Sequence, residues 1–373
     1  MKKYLSSIVF IIICICLVPA AGLSCTTFVL DNNGQPVYGK NMDWHTHLLS
    51  SFVIVNKQGV AKISALQPQE PNAKTIRWTS KFGSVTFNFF AREFPFEGIN
   101  EAGLFVSTMG LYNDTEYPPS DSRPSISGFQ WVQYQLDNFS TVDEVIASDQ
   151  NIRIQDSHGE HYLVSDSKGN CASIELVDGK MVCHTGATMP YKVLTNSTYD
   201  QSVDFLKWFS GYGGFFPIFH PVFYRSPLLI FAIATDKVQK YSPQDSGDAV
   251  DYSFQILQDV EMVPIQKSAM WSSVYDIANK QIFFRSWNNL RIRSFNLSAF
   301  DFSCVTPVKV LDVNADLSGD VTNNFVDYTK EIDLEMLKHW NLTDAAIDYL
   351  STYPDTTVCT TDSDNTTKVS MRR

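Results

Sequence analysis

The most constraining feature of this sequence is the dipeptide Asn33-Gly34, which separates two short runs of strand-forming residues. Asn-Gly is the strongest short-range signal for a two-residue β-hairpin turn, because both residues tolerate the positive φ angles of a type I′ turn. The flanking runs Thr26 to Leu30 and Pro36 to Asn41 are therefore predicted to pair as antiparallel strands. Any fold that this chain adopts has to extend or cover that hairpin.

The predicted turn also sets the register of the hairpin. It pairs Thr27 with Lys40 and Cys25 with Met42, and residues directly opposite each other share one face of the sheet. Lys40 therefore points to the same side as Cys25 and lies diagonal to it, while Asp43 follows at the end of the strand. The hairpin is thus predicted to bring a cation and an anion within several ångströms of one thiol.

Strand patterns continue through most of the chain, with short connections rich in Gly, Asp or Asn. Further strands are predicted at Ser51 to Asn56, Ser84 to Phe90, Gly103 to Met109, His161 to Ser165, Ala172 to Val177, Lys180 to His184, Trp271 to Asp276, Gln281 to Trp287 and Leu290 to Phe295. Helices are predicted at Ser127 to Asn138, Val142 to Ser148, Ser202 to Phe209, Ile230 to Val238 and Asp333 to Tyr349. Because one sheet then draws on both ends of the chain, a single mixed domain over residues 25–325 is favoured, followed by a helical extension and polar tail over 326–373.

Residues 1–24 resemble a secretory signal. Lys2 and Lys3 provide a positive start, Ile8 to Val18 form an apolar run, and small residues follow it up to Ser24. The run is too short to span a bilayer, although a buried N-terminal helix or an uncleaved anchor is the alternative reading. We therefore expect an exported protein, periplasmic or extracellular, in which cleavage after Ser24 makes Cys25 the first residue.

The net charge excludes one class of partner, and the number of cysteines bears on disulfide formation. The formal net charge of −11 argues against a nucleic-acid partner, because phosphate binding depends on clustered Lys and Arg. Without residues 1–24, five cysteines remain, an odd number for an oxidising compartment. Cys171 and Cys183 flank a predicted turn at Asp178-Gly179 and are candidates for a disulfide across it; alternatively, all five cysteines are buried free thiols.

If Cys25 is the first residue, its free α-amine is a base for its own thiol. A free α-amine titrates near ~7.7 to 8.0 and a thiol near ~8.5, so the amine of Cys25 is able to take the proton of its own side chain. Positive charge from Lys40 favours the thiolate, and Asp43 is placed to hold the thiol or the ammonium. The alternative is that Lys40 and Asp43 only cap a surface hairpin.

These residues carry a family resemblance. Cys25-Thr26-Thr27, followed by Tyr38 to Trp44, is similar to the choloylglycine hydrolase and penicillin V acylase family of N-terminal nucleophile hydrolases. Three further segments agree in order: Gly98 to Leu104, Val193 to Ser197, and a C-terminal set made of Trp271 to Asp276, Phe284-Arg285, Asn289, Arg293 and Leu297. The resemblance spans about Cys25 to Phe302.

The resemblance implies a fold and a set of roles. The implied fold is α+β, a four-layer αββα sandwich with two mixed, mainly antiparallel sheets. Cys25 is the implied nucleophile, Asp43 its hydrogen-bonded partner, and Asn196 the side-chain donor to the tetrahedral oxyanion. A backbone N–H in the stretch Gly110, Leu111 and Tyr112 is the implied second donor. Asn196 also opens one of the chain's glycosylation sequons, which is the alternative reading of that residue.

The chain departs from the family at two positions. Lys40 stands where the family usually has arginine, so the charge is kept and the planar fork is lost. Arg225 is the candidate for a second family arginine and, with Trp44, for substrate binding. A metal site built from Asp43, His45 and His47 is a weaker reading, because a lone His-x-His beside one carboxylate is more often structural. The resemblance implies no cofactor.

The resemblance and the residues together predict an exported amidase that cleaves a linear amide through a thioester on Cys25. Its small-molecule substrate carries a bulky apolar acyl group, as Trp44, Phe89, Phe90, Tyr112 and the aromatic segment Trp208 to Ala234 indicate. That segment either forms a lid or packs in the core. Bile-salt conjugates, penicillin V and N-acyl homoserine lactones are family substrates, and many family members are homotetramers. The competing hypothesis is a non-catalytic exported or lipid-anchored binding protein that keeps the fold.

Overall fold

Two large β-sheets form the centre of the molecule. The computed structural model describes residues 24–44, 49–65, 74–156, 158–219, 226–245, 247–261 and 269–352. Strands are numbered β1 to β20 and helices α1 to α7 in chain order within these residues.

The first sheet is built around the predicted hairpin. It has seven strands in the order β14 (Val193–Leu194), β1 (Thr26–Asn32), β2 (Gln35–Asp43), β15 (Ala269–Asp276), β16 (Gln281–Ser286), β17 (Arg293–Asn296) and β19 (Gly319–Asp320). Its neighbours are antiparallel except β17 and β19.

The second sheet has nine strands, all antiparallel to their neighbours. Their order is β13 (Lys180–Thr185), β12 (Cys171–Val177), β11 (Glu160–Ser165), β8 (Phe105–Gly110), β7 (Glu97–Asn100), β6 (Ser84–Asn88), β3 (Phe52–Asn56), β18 (Lys309–Asp312) and β20 (Val326–Asp327). Two small ribbons join β4 (Ala61–Ile63) to β5 (Arg77–Thr79) and β9 (Ser125–Ile126) to β10 (Arg153–Ile154).

Helices cover the outer faces of the two sheets. They are α1 (Gly128–Asn138), α2 (Val142–Ala147), α3 (Tyr199–Leu206), α4 (Pro227–Lys240), α5 (Ala249–Asp259), α6 (Lys330–Leu337) and α7 (Asp344–Thr352). Helices α4 and α5 pack on β1 and β2 of the first sheet, and α1 packs on β7 and β8 of the second. The layers follow the predicted αββα order. No helix of the described residues has the length and apolar character needed to cross a membrane.

The hairpin has the register that its turn predicts. Thr27 pairs with Lys40, and the turn residues Asn33 and Gly34 have φ angles of 54° and 78°. Successive side chains of β2 point to opposite faces, so Lys40 reaches the second sheet while the side-chain amide of Asn41 donates to the Leu257 carbonyl of α5 at 2.8 Å. Cys25 shares the face of Lys40 and therefore lies between the two sheets.

The main core fills the space between the two sheets with aromatic rings. Phe87 of β6 stacks on Trp271 of β15 with ring centroids 5.8 Å apart, and its edge meets Tyr275 at 6.3 Å. All three side chains are buried. Because both inner faces contribute large rings, the sheets are held close to each other.

The largest differences from the predicted secondary structure lie in the helices. The single helix predicted at Asp333 to Tyr349 is two helices, α6 and α7, because Thr343 caps a new helix by accepting a hydrogen bond from the backbone N–H of Ala346 at 3.3 Å. Helix α5 was not predicted. Its signal is present in Asp248, whose carboxylate accepts from the N–H groups of Val250 and Asp251.

The suggested disulfide between Cys171 and Cys183 is wrong. Both cysteines are free thiols, and Cys183 lies opposite Ile174 in the β12–β13 ladder, three residues away from Cys171. That separation is too large for one disulfide. The alternative of five free thiols is wrong as well, because Cys304 is disulfide-bonded.

Candidate active site

One cavity of about 310 Å³ contains most of the predicted site residues. It opens beside the end of the hairpin, between the two sheets. It is lined by Cys25, Met42, Asp43, Trp44, Phe96, Thr108, Met109, Gly110, Tyr112, Phe129, His158, Glu160 and Asn196. The structure therefore brings together six predicted residues from four separate parts of the chain: Cys25, Asp43, Trp44, Gly110, Tyr112 and Asn196.

The thiol of Cys25 sits in the wall of this cavity. Its side chain is buried, and Sγ lies 3.6 Å from the backbone oxygen of Asp43 and 3.8 Å from Sδ of Met42. Burial raises the pKa of the Cys25 thiol, and the positive charge of Lys40 opposes that rise. A thiol in this environment needs a base to become a nucleophile.

Asn196 follows the edge strand of the first sheet. Strand β14 pairs Leu194 with Thr27 and ends there; Asn196 lies two residues after Leu194, and Cys25 lies two residues before Thr27. The side chain of Asn196 lines the cavity, and its buried Oδ1 has no hydrogen-bond partner among the described residues. Rotation of the terminal amide by 180° exchanges its oxygen and nitrogen, so the group is able to present either to a ligand.

Lys40 acts from behind the cavity wall. Its buried ammonium donates a hydrogen bond of 2.7 Å to the carbonyl oxygen of Thr108 in β8. Lys40 is not among the lining residues, so its positive charge reaches Cys25 through the interior of the sandwich. The predicted role as a neighbouring cation agrees with this placement, whereas direct contact with a bound substrate does not.

Glu97 does not line the cavity but lies in the interior close to Lys40, a place that the sequence did not predict for it. It is fully buried, and its Oε1 accepts hydrogen bonds from Trp271 Nε1 at 2.9 Å, Ser273 Oγ at 2.5 Å and Tyr275 OH at 3.1 Å. Burial raises the pKa of Glu97, and the charge of Lys40 opposes that rise. Three donors from β15 on one acceptor of β7 thus tie the first sheet to the second next to Lys40.

Backbone geometry narrows the choice of the second oxyanion donor. The N–H of Leu111 donates to the Gly159 carbonyl at 2.9 Å, while the N–H of Thr108 donates to the Phe96 carbonyl on the other side of β8 at 2.9 Å. Neighbouring N–H groups of a strand point in opposite directions, so the N–H of Gly110 points to the same side as that of Thr108. On that side β7 begins at Glu97, which pairs with Ser107, so Gly110 lies beyond the end of the β7–β8 ladder. The N–H of Leu111 is already bonded to Gly159, and Gly110 is therefore the better placed donor.

The bare backbone of Gly110 is covered by the ring of Tyr112. A Cβ added there would lie 2.5 Å from Cζ of Tyr112, because the Tyr112 ring folds back over the Gly110 backbone. Tyr112 is 56% exposed and lines the cavity. The glycine therefore lets an aromatic ring cover the strand end beside Cys25.

Aromatic side chains form most of the apolar wall. Phe96 and Phe129 line it with ring centroids 4.4 Å apart, together with Trp44 and Tyr112. Phe89 does not line the cavity but packs behind Trp44, at a centroid distance of 5.2 Å.

Two parts of the aromatic prediction fall elsewhere. Like Phe89, Phe90 does not line the cavity; it is partly buried and meets the Trp340 ring edge-on at a centroid distance of 4.9 Å. Of the segment Trp208 to Ala234, none of the residues that the structure describes lines the cavity, and Leu229 to Ala234 are buried in α4. This favours the core-packing reading over the lid for that part of the segment.

Several predictions concern residues outside the described ranges. These are the signal at residues 1–24 except Ser24, the candidate metal ligands His45 and His47, and the substrate-binding candidate Arg225. Within the described ranges, no group of three His, Cys, Asp or Glu side chains is arranged to hold a metal ion.

The arrangement is suited to nucleophilic attack on a carbonyl. A thiol (Cys25), a side-chain amide (Asn196) and the strand end at Gly110 line one cavity together with aromatic side chains. Amide and backbone N–H groups are the donors that stabilise the negative charge on a carbonyl oxygen as a nucleophile attacks.

Comparison with known proteins identifies the family. The model of the choloylglycine hydrolase family of linear amide C-N hydrolases matches residues 25–213, slightly more than half of the 373 residues. A penicillin V acylase of Pectobacterium atrosepticum is 34% identical over 216 residues, which cover 52% of this chain and 55% of the relative. The match thus spans about half the length of that curated relative.

Solved structures extend the similarity over the fold. Penicillin V acylase from Agrobacterium tumefaciens superimposes with a TM-score of 0.66 at 27% identity, covering 82% of this chain and 98% of that chain. A variant of conjugated bile acid hydrolase from Clostridium perfringens gives a TM-score of 0.64 at 19% identity, covering 79% and 98%. The second likeness shows the fold alone.

Proposed function

Because the chain belongs to the choloylglycine hydrolase family of linear amide C-N hydrolases, we propose that it hydrolyses the amide bond of an N-acyl substrate with Cys25 as the nucleophile. The observation that carries the proposal is the convergence of Cys25, Asn196 and Gly110 on one cavity. These three residues come from parts of the chain more than eighty residues apart, and a purely structural role gives no reason for a thiol to share a cavity with an amide whose Oδ1 has no partner among the described residues.

The nucleophile is activated by removal of the preceding residues. Burial raises the pKa of the Cys25 thiol, so in the unprocessed chain the thiol holds its proton. Cleavage after Ser24 turns the Cys25 nitrogen into an α-amine, which titrates near ~7.7 to 8.0 and accepts the thiol proton. The Asp43 backbone oxygen, 3.6 Å from Sγ, orients the sulfur.

The proposed reaction has two halves. In the first, Sγ attacks the amide carbon, the oxyanion is held by Asn196 and the Gly110 N–H, and the α-ammonium gives its proton to the leaving amine. In the second, the α-amine takes a proton from water, which attacks the thioester and releases the acid. Each half uses the same donors, since both pass through a tetrahedral oxyanion.

The aromatic wall supports an apolar acyl group. Phe96, Phe129, Trp44 and Tyr112 offer ring faces and edges to a bulky hydrocarbon or aryl group, and the cavity of about 310 Å³ is sufficient for one. Amides of the penicillin V, bile-salt conjugate and N-acyl homoserine lactone types all fit this description. We propose that the substrate is among acyl amides of these types.

Export is part of the proposal, because the mechanism requires an unblocked α-amine on Cys25. Residues 1–24 would direct the chain out of the cytoplasm, to the periplasm or the extracellular space, and leave with the signal. Intact-mass measurement of the mature protein tests this step. A chain that begins with unmodified Cys25 supports the enzyme, whereas a diacylglyceryl adduct supports the lipid-anchored binding protein.

Hydrolysis is tested on the mature protein with a panel of acyl amides and amine release as the readout. Cys25→Ser is expected to abolish hydrolysis, and Asn196→Ala to lower kcat by about 10²- to 10³-fold, the usual loss for one oxyanion donor. Cys183→Ser is the matched control, because Cys183 is also a free thiol but does not line the cavity. Hydrolysis that survives in Cys25→Ser would show that the nucleophile is misassigned.

A further inference from the structure

Glu160 is a buried acid in the cavity wall that the proposed mechanism does not use. It is the first residue of β11, is 3% exposed, and lies opposite Gly110 in the β8–β11 ladder. Its Oε2 accepts a hydrogen bond from Tyr162 OH at 3.2 Å, while its buried Oε1 has no partner among the described residues. Buried polar atoms are nearly always paired, so an unpaired one in a cavity wall indicates a place for a ligand atom.

The surroundings leave room for this acid. Gly128, at the start of α1, has no side chain; a Cβ there would overlap Oε2 of Glu160 and approach Tyr162 OH to 2.8 Å. The backbone N–H of Gly128 is already taken, since it donates to Asp156 Oδ2 at 2.8 Å. The helix start therefore binds the Asp156 carboxylate and leaves space for the side chain of Glu160, which lines the cavity.

The surroundings of Glu160 favour its neutral, protonated form. Burial raises its pKa well above the ordinary value, and the negative charge of Asp156 raises it further. The other titratable groups facing it are Tyr112, Tyr117 and Tyr162, with His158 nearby in the cavity wall. No lysine or arginine is found among the described residues that line the cavity. A neutral carboxyl has one O–H donor, and Oε1 is the oxygen left to carry it.

The acid lies beside the aromatic wall. Phe129 follows Gly128 in the chain, lines the cavity and packs on Phe96. Glu160 therefore stands next to the rings that would receive the acyl group.

We propose that Glu160 is a specificity residue, whose Oε1 donates a hydrogen bond to an uncharged oxygen on the acyl group, such as an ether, ketone or hydroxyl oxygen. This inference rests on the proposed function, since it assigns the acyl side of the same substrate. The cavity wall is then not uniformly apolar, and an acyl chain without such an oxygen leaves the buried Glu160 donor unpaired. That loss makes the oxygen-free chain the poorer substrate.

The test uses two amides of one neutral amine that differ in a single atom. Phenoxyacetyl and 3-phenylpropionyl amides place an ether oxygen and a CH₂ group at the same position. The wild-type mature protein is expected to prefer the oxygen-bearing amide by about 5- to 10-fold in kcat/KM, the value of one buried hydrogen bond. In Glu160→Leu this ratio should fall to within about twofold of one, and in Glu160→Gln most of it should remain, because a carboxamide also donates.

A control and a pH series separate recognition from structural damage. Met109→Leu changes the cavity wall without touching a polar group and should move both amides together. In the wild type the preference should fall as the pH rises through the Glu160 pKa, whereas in Glu160→Gln it should not depend on pH. An intact preference in Glu160→Leu, or a loss that Met109→Leu reproduces, would overturn the inference.

A binding measurement tests the role of Glu160 without hydrolysis of the amide. The same pair of amides is titrated by calorimetry into Cys25→Ser and into Cys25→Ser combined with Glu160→Leu. A Kd preference of about 5- to 10-fold that disappears in the double variant supports the role of Glu160 even if the wild type hydrolyses neither amide, an outcome that would count against the proposed function. Equal Kd values for both amides in Cys25→Ser would contradict the inference, whatever the hydrolysis data say.

Discussion

The ammonium of Lys40 and the carbonyl oxygen of Thr108 are 2.7 Å apart, and this hydrogen bond joins β2 of the first sheet to β8 of the second. Thr108 stands two residues before Gly110, whose N–H is the backbone donor of the proposed oxyanion site. Lys40 also supplies the positive charge that opposes the effect of burial on Cys25. One side chain thus acts on both the nucleophile and the strand that carries the oxyanion donor.

Replacing Lys40 should therefore weaken hydrolysis in a way that depends on charge. In Lys40→Met the Cys25 thiol pKa rises further, because the cation that opposes burial is gone, and kcat/KM is expected to fall by about 10- to 100-fold. Lys40→Arg keeps the charge and should recover part of the loss. The pH dependence of iodoacetamide labelling at Cys25, followed by peptide mass spectrometry, reports the thiol directly.

A second buried lysine is available as the control for that experiment. Lys57 is also buried and also donates to a backbone carbonyl, that of Asp301, but unlike Lys40 it is not among the charged groups that shift the pKa of Cys25. Lys57→Met should lower the free energy of unfolding and leave the pH dependence of Cys25 labelling in place. If both lysine variants changed the labelling profile alike, the effect of Lys40 would be structural.

Gly110 and Tyr112 are predicted to be coupled. Gly110→Ala forces the Tyr112 ring away from the strand end, since the new Cβ would lie 2.5 Å from Cζ, and kcat/KM should fall by about tenfold or more. Combining Gly110→Ala with Tyr112→Ala removes the clash, so the double variant should lose less than the two single losses together predict. Kinetics of all four proteins measure this, and strict additivity would refute the coupling.

The C-terminal segment is predicted to support the aromatic wall. Trp340 packs against Trp44 at a centroid distance of 6.2 Å, and its Nε1 donates to the Phe89 carbonyl at 3.3 Å. Trp340→Ala should lower the free energy of unfolding by about 2 kcal/mol and raise KM, because Trp44 loses its backing. Trp208→Ala, at a tryptophan that is 62% exposed, is the control and should change the free energy of unfolding by about 0.5 kcal/mol at most. Urea unfolding and steady-state kinetics supply both readouts.

Stability is predicted to depend on pH through Asp333. Its carboxyl accepts from the Arg92 N–H at 2.9 Å and from Tyr328 OH at 2.6 Å, and burial raises its pKa to about 6. The folded state thus holds the proton more tightly than the unfolded state, so this contribution is complete below the unfolded pKa of about 4 and disappears as the pH rises through about 6.

The measurement is urea unfolding at pH 5 and pH 7.5. Over that range the wild type should lose about 1 kcal/mol of unfolding free energy through this group, and Asp333→Asn should lack that part of the change. The same pH dependence in both proteins would assign it to other groups.

The local part of the fold could be predicted from the sequence. Asn33-Gly34 determines a two-residue turn, and the resulting pairing of Thr27 with Lys40 is confirmed, because a turn of known length leaves one register. The prediction of one helix over Asp333 to Tyr349 was wrong. The helix expected across Trp340 is interrupted because Thr343 begins a new one.

The neighbours that are far apart in the sequence, such as Gly110 and Glu160, could not be predicted from the residues. The ladder of β8 and β11 pairs Gly110 with Glu160, fifty residues on, and no turn links the two strands directly. Without that register there was no reason to place an acid beside the strand end. Glu97 was missed for the same reason, since its three donors come from β15, far along the chain.

The sequence by itself therefore determined the hairpin, the identity of the residues near its end and, through its motifs, the family. Only the tertiary structure decided which backbone N–H stays available beside Cys25, which carboxyl is left with an unpaired oxygen in the cavity, and what the ammonium of Lys40 binds. The physical reason is that turn geometry acts over a few residues. Burial and hydrogen-bond partners, in contrast, depend on how two sheets from opposite ends of the chain pack against each other.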